Sequence, residues 1–419
     1  MSSTAGPPGL RSVPPATLSW LETELAAWQA EGRLDADTAA GIRARYTSSH
    51  RVSLGRLMLL LGGAFLGVGL IWLVAANLDE MSPLVRFTGV VAIWLAALAA
   101  GELVAARRSA RPGATARADS WRGDPVVGGL RLLAALAWGG VVFQAAQSLQ
   151  VPAYASSLLG VWAAGALLQA YASGALAPLA VGIAAGVGWY AWAVGEESSS
   201  VEGPALSFLV AGALATAVSV VHASVPRAPS DLRGFAVPWR VAGGALLLLG
   251  LFLAALPFYE QGRGPESVSG WVWGGAAAVL VIAALAGWAA DRLGRLEVGG
   301  AVGLVLLGVL VLRWQPEGGL DPSDLSGQAW ARAVVAVLVY LLAALAVAAL
   351  GAVRGLDGLT HLATGALVVF TVVQSFAIFQ PILSGATLFL ALGAVLAVSG
   401  FLVDRGRRRL VDNVREVEA

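Results

Sequence analysis

Runs of about 20 apolar residues recur along this chain, each long enough as a helix to cross the ~30 Å hydrocarbon core of a bilayer. In hydrocarbon every backbone N–H and C=O must be satisfied within the spanning structure, so such runs are restricted to helices. They fall at 54–76, 84–106, 125–147, 153–173, 174–194, 204–223, 241–259, 270–290, 298–314, 329–352, 360–379 and 383–403, which predicts an all-α polytopic transmembrane bundle of about 12 helices. Composition points the same way: 58% of the 419 residues are hydrophobic and 13% charged, against about 25% charged in an ordinary globular domain.

The connectors alternate in charge. One set carries Arg107, Arg108, Arg111, Arg117 and Arg122, then Arg227, Arg233 and Arg240, then Arg292 and Arg295, then Arg354. The other carries Asp79 and Glu80, then Glu196, Glu197 and Glu202, then Glu260 and Glu266, then Glu317, Asp321 and Asp324, with Arg263 as the exception. Cytoplasmic loops keep the excess of Lys and Arg, so both termini are expected in the cytoplasm. All 27 basic residues are Arg, a usage that suggests GC-rich bacterial coding, and the expected location is the bacterial cytoplasmic (inner) membrane. The first apolar run begins only at Leu54, so no cleaved signal peptide is expected. Trp72, Trp189, Trp192, Trp271, Trp273, Trp314 and Trp330 map to the outer interface, Trp239 and Trp288 to the inner one. Trp94, Trp138 and Trp162 fall mid-span, where packing between helices is expected. Two joins, at Ser173–Gly174 and Pro381, admit either two helices or one.

Ahead of the first run, Leu18, Leu21, Leu25 and Trp28 recur at helical spacing, Gly32 suits a helix stop, and Asp35 suits the N-cap of a second helix carrying Ala39, Ile42 and Tyr46. The expected organisation is a disordered lead at 1–16, a cytoplasmic helical hairpin at 17–53, the membrane domain at 54–403 and a basic tail at 404–419. So short a hairpin cannot bury a core alone. It is expected to dock on the membrane domain, on a second copy, or on a cytoplasmic protein partner.

The hairpin and the helices that follow resemble the domain of unknown function 2157 family, a set of predicted bacterial membrane proteins. The resemblance rests on Trp28, Gly32, Leu34, Ala39 and Tyr46, on Ala75-Ala76-Asn77-Leu78-Asp79, and on Gly139-Gly140-Val141-Val142-Phe143-Gln144 followed by Trp162, Ser173 and Trp189. It implies a topology and no activity.

Polar groups within membrane helices are costly and commonly face a bundle interior or water. Near the outer face Asn77, Asp79, Glu80, Arg86, Gln144, Gln147, Arg313, Arg332 and Gln374 form a candidate polar cavity, with Gln144 and Gln147 one turn apart on one helix face. The competing reading is that the Arg side chains snorkel to the headgroups and the Gln side chains pair helices. On the inner side Arg56, Glu102 and Arg131 form a candidate buried charge cluster, read as a structural clamp. His222 and His361 lie at inner helix ends but lack the carboxylate that a metal site would want. Gly63 with Gly67, Gly182 with Gly186, Gly270 with Gly274, and Gly299 with Gly303 have the spacing that lets helices approach closely.

Gly287-Trp288-Ala289-Ala290-Asp291-Arg292-Leu293-Gly294-Arg295 is similar to the cytoplasmic loop signature of the major facilitator superfamily, although the loop after the second helix lacks its Asp-Arg-x-Gly core. No Cys is present, which removes disulfides, thiolate metal ligands and Cys nucleophiles. No phosphate loop, zinc-protease motif or hydrolytic triad stands out. The expected function is therefore a non-enzymatic membrane-embedded scaffold or sensor without metal or cofactor, with a secondary transporter as the alternative. The expected partners are the bilayer, anionic lipid through Arg405, Arg407, Arg408 and Arg409, and a protein or second copy at the hairpin. Nucleic acid is not expected, because the net charge is only +1.

Overall fold

A computed structural model of the chain describes residues 11–13, 15–48, 82–109, 125–152, 155–224, 230–256, 267–315 and 327–379, with positions 58, 61, 62, 65 and 69. The chain divides into two compact units, residues 1–62 and 63–419.

In the first unit, helix α1 (Pro15–Ala30) and helix α2 (Ala36–Ala44) form the expected hairpin. Pro15 opens α1, a position where its missing N–H costs no helical bond. Gly32 turns the chain with φ of 69°, a left-handed conformation that glycine adopts without a Cβ clash. Asp35 caps α2 by accepting from the Thr38 N–H at 2.7 Å, which satisfies an otherwise orphaned donor. Arg43 Nε donates to Glu22 Oε1 across the hairpin, and Leu18, Leu25 and Ala39 are its buried apolar residues.

Two expectations need correction. Tyr46 is not on the second helix, which stops at Ala44; it begins strand β2 (Tyr46–Ser48), paired in parallel with strand β1 (Arg11–Val13). The lead expected to be disordered through residue 16 therefore contains both β1 and the start of α1. The backbone of Tyr46 also accepts from Arg43 Nη1 at 3.0 Å, which ties the strand to α2.

The second unit is a helical bundle. Its helices are α3 (Pro83–Ser109), α4 (Pro125–Ser148), α5 (Ser156–Ser173), α6 (Leu176–Glu196), α7 (Glu202–Ser224), the short α8 (Ser230–Gly234), α9 (Ala236–Ala255), α10 (Gly270–Ala289), α11 (Arg292–Arg313), α12 (Gly327–Val353) and α13 (Asp357–Phe379). Eight of the described helices are long and apolar enough to cross a membrane. End contacts show antiparallel packing: Glu102 at the end of α3 meets Arg131 at the start of α4. Likewise the end of α11 meets the start of α7 through Arg313 and Glu202. The predicted spans at 54–76 and 383–403, and the join at Pro381, lie outside the described residues.

At the other doubtful join, Gly174 is a left-handed C-cap for α5, with φ of 63° and its N–H bonded to Ala170 O. The chain then reverses into α6, so this join is two helices packed side by side. Helix α7 is the most buried and packs on α6, α9, α10 and α11. Its crossing with α9 is glycine-lined: a Cβ at Gly212 would lie 2.7 Å from Leu247 N, and one at Gly243 would lie 2.9 Å from Thr216 N. Around this crossing Leu209, Leu247 and Leu251 join Tyr340 and Phe370, whose rings stack 3.7 Å apart.

Of the three small-residue pairs within the described residues, one lies at a helix contact. Gly182 and Gly186 on α6 face Leu167 and Ala163 of α5. Gly270, Gly274, Gly299 and Gly303 have nothing within 4 Å of an added Cβ, and Gly63 and Gly67 lie outside the described residues. The mid-span tryptophans do pack between helices. A Cβ at Gly139 would lie 2.5 Å from the Trp162 ring, Gly165 faces the Trp138 ring in the same way, and Trp94 meets Trp138 at 5.1 Å. Trp162 Nε1 donates to Ala135 O at 2.9 Å, which gives a half-buried indole the partner it needs in lipid.

Candidate functional site

Opposite charge organises the two ends of the bundle. At the acidic end, the turn between α6 and α7 supplies three carboxylates, and each reaches a different helix. Glu196 accepts from Ser156 Oγ at the start of α5 (3.0 Å), Glu197 from Ser269 Oγ, the N-cap of α10, and Glu202 pairs with Arg313 of α11 at 2.8 Å. Nearby, Arg332 of α12 is buried and donates from Nε to Val311 O (3.2 Å) and from Nη2 to Ala254 O (3.4 Å). Gln374 of α13 donates to the adjacent Ala255 O at 3.0 Å. The carbonyls of the last helical turn lack intrahelical partners, so these two side chains terminate α9 from two neighbouring helices.

The candidate polar cavity is thereby divided. Arg313, Arg332 and Gln374 gather at the ends of α9, α11, α12 and α13. Arg86, Gln144 and Gln147 sit on α3 and α4, whose described packing is with each other and with α5 and α6. Gln144 is buried on α4, whereas Gln147 is exposed. Asn77, Asp79 and Glu80 lie outside the described residues.

At the basic end, the expected pair of Glu102 and Arg131 forms a two-pronged bridge, Nε to Oε1 and Nη2 to Oε2, both at 2.9 Å. Arg56, the third member proposed for that cluster, lies outside the described residues. His222 has no carboxylate partner among the described residues; its Nδ1 faces Val218 O at 2.8 Å and its Nε2 faces the Tyr171 hydroxyl at 3.0 Å. Since a carbonyl accepts only, the proton belongs on Nδ1 and Tyr171 donates to Nε2. Trp239 Nε1 completes the chain by donating to the Tyr171 oxygen at 3.2 Å. No cluster of metal-ligating side chains occurs among the described residues.

A deeper charge cluster lies at the same end. Helix α11 starts at Arg292, ahead of the apolar run expected from 298, because Asp291 caps it by accepting from Gly294 N at 2.7 Å. That extra turn carries Glu297 into the bundle. Arg240, four residues inside α9, donates from Nε to Glu297 Oε2 at 2.9 Å, and Arg354 at the end of α12 donates from Nε to Glu297 Oε1 at 2.6 Å. Asp291 lies 3.8 Å from Arg354 Nη2 at the rim. Arg240 and Glu297 are 6% and 8% exposed, so the acid sits in a dry setting where two guanidinium groups neutralise it. The loop signature thus has a local structural explanation: it ends α10, caps α11 and presents Asp291 to Arg354.

In the sequence Arg240 and Arg354 read as connector charges, and Glu297 belongs to no candidate cluster. The available signal was a lone carboxylate within a helix start on the side otherwise rich in Arg.

Below this cluster a cavity of about 450 Å³ extends between α11 and α12. Leu293, Leu296, Leu304, Leu342, Leu350 and Val353 form much of its wall, with Arg240 and Glu297 as its charged residues.

Residues 26–179 match the family described as "Predicted membrane protein (DUF2157)". That segment bears out the resemblance drawn from the sequence, and it includes α2 to α5, the Glu102–Arg131 bridge and the Gly139–Trp162 and Gly165–Trp138 contacts. The DUF2157 match covers less than half of the chain and ends before Arg240, Glu297 and Arg354. No curated protein and no solved structure matches. The chain is a multi-pass membrane protein by its long apolar helices, and its residues 26–179 are similar to that family.

Proposed function

We propose that the protein is a non-enzymatic scaffold or sensor of the bacterial cytoplasmic membrane, with its basic end and both termini in the cytoplasm and its hairpin as the binding module for a protein partner. The positive-inside rule supports this orientation. The observation that carries the reading is the engagement of the acidic-end polar groups. Arg313 is held by Glu202, while Arg332 and Gln374 are held by helix-end carbonyls. A transport route would need such groups to face a common cavity and exchange partners with a substrate. The hairpin supports the second half of the reading, because it leaves Trp20 exposed while burying few apolar residues.

The test uses single Cys substitutions at positions 144, 147 and 374 of this Cys-free chain, probed in intact cells with a membrane-impermeant thiol reagent. Labelling at 147 but not at 144 or 374 is the expected result. Joint labelling at 144 and 374 would favour a water-filled cavity and a transporter instead. Labelling at 147 only after the cells are opened would reverse the orientation and leave the bundle argument untouched.

A further inference from the structure

We propose that the cleft between α11 and α12 binds one acyl chain of an anionic phospholipid from the leaflet at the basic end, with the lipid phosphate meeting Arg240. This inference is independent of the scaffold reading and of which side of the membrane the basic end faces.

Arg240 is more than nine-tenths buried, lines the cleft, and has an Nη2 with no hydrogen-bond partner among the described residues. A buried unpaired guanidinium N–H is costly, more so in a low-dielectric setting. Its Nε is committed to Glu297, whose other oxygen is taken by Arg354. Two guanidinium groups therefore share one buried carboxylate. The other acids at this end lie outside the buried pair: Asp291 sits at the exposed rim beside Arg354 and also caps Gly294, and Asp357 is exposed at the start of α13, so the buried cluster itself, two guanidinium groups on one carboxylate, is net positive. Arg292 and Arg295, both exposed on the first turns of α11, add to it.

The rest of the cleft asks for a tail. Apart from Thr216, whose hydroxyl donates to Gly212 O, its wall is leucine, valine, alanine and glycine, and a Cβ added at Gly300 would meet nothing within 4 Å. Leu296 and Leu342, on opposite walls, are both largely exposed, so the cleft opens sideways toward hydrocarbon. Its volume of about 450 Å³ lies in the range of small-molecule sites. Basic pockets between membrane helices at the headgroup level are where phosphorylated lipid headgroups bind. A water-soluble anion would satisfy Arg240 but leave the apolar wall uncovered. A neutral lipid would do the reverse.

The experiment places the full-length protein in nanodiscs containing phosphatidylglycerol and phosphatidylcholine in equal amounts, then counts phospholipid retained per chain by native mass spectrometry. Gly300→Phe and Leu342→Trp fill the cleft from opposite walls and leave the ionic cluster intact. Either one suffices if the other does not elute as a monodisperse protein. The wild type should retain one phosphatidylglycerol in preference to phosphatidylcholine. Retention should fall about tenfold in the filled variants, equivalent to roughly two methylenes no longer buried. Equal retention by wild type and filled variants would overturn the site, and equal retention of the two lipids would overturn the role of Arg240. Inorganic phosphate that displaces the retained lipid would show the ligand to be a free anion and likewise reject the proposal.

Discussion

Glu297 illustrates how much one side chain holds in this bundle. It joins the start of α9, the start of α11 and the end of α12 through two arginines. Replacing it with Gln leaves Arg240 without its counter-charge and Arg354 with only the rim carboxylate of Asp291, and breaking such a buried pair costs about 3–5 kcal/mol. Glu297→Gln should therefore lower the unfolding midpoint in detergent strongly. Glu297→Gln with Arg240→Gln should recover part of that loss, since the second change removes a stranded charge; no recovery would reject the pairing. Asp35 offers a second residue-level test outside the membrane. Its bonds from the Thr38 N–H and hydroxyl hold its carboxyl below the ordinary value of 3.8. A carboxyl depressed in the folded state contributes stability above that ordinary value and loses it as pH falls through the lower, folded one. The protection of amides at the start of α2, taken relative to the intrinsic exchange rate at the same pH, should fall on acidification below about pH 4, and Asp35→Ala should show the lower protection already at neutral pH.

Among the helices, glycine position separates contact from decoration. Gly243 faces the Gly212–Thr216 stretch of α7, so a methyl there has no room. Gly299 faces open space on α11. Gly243→Ala should destabilise the bundle by about 1–3 kcal/mol through overpacking. Gly299→Ala should leave stability unchanged or raise it by up to about 1 kcal/mol, from helix propensity. Detergent unfolding of both variants side by side checks the contrast; equal loss from both would mean that α11 uses Gly299 at an interface. Pattern alone could not make this distinction, because both glycines sit in apolar helices and the small-residue spacing singled out Gly299 rather than Gly243. The spacing reports what a helix surface permits, and the partner helix decides whether it is used. The match of Gly139 to Trp162 carries more information, since a large ring and a missing Cβ are complementary shapes on neighbouring helices.

At the scale of the molecule, helix number and alternation were legible in the sequence because run length and connector charge are set by the bilayer itself. The ten long described helices, α3 to α7 and α9 to α13, all correspond to predicted spans. What sequence could not show was convergence. Arg313 appeared beside Arg332 and Gln144 in one candidate cavity because all lie near one end of their helices. Only packing reveals that α4 and α12 attend to different neighbours. The basic-end cluster escaped notice for a related reason: its residues sit at apolar-run boundaries, where a connector charge and a buried charge look alike.

The spacing of that cluster along the chain bears on how the protein is made. Arg240 precedes Glu297 by 57 residues, and Glu297 precedes Arg354 by another 57. At about 5–20 residues per second, each partner leaves the ribosome roughly 3–11 s after the one before it. Arg240 must therefore wait near the headgroups, where its long stem lets the charge reach water, until the acid arrives. The order base, acid, base lets α9 and α11 pair before Arg354, at the far end of α12, is made. The last arginine to be synthesised then closes a clasp around a carboxylate already in place.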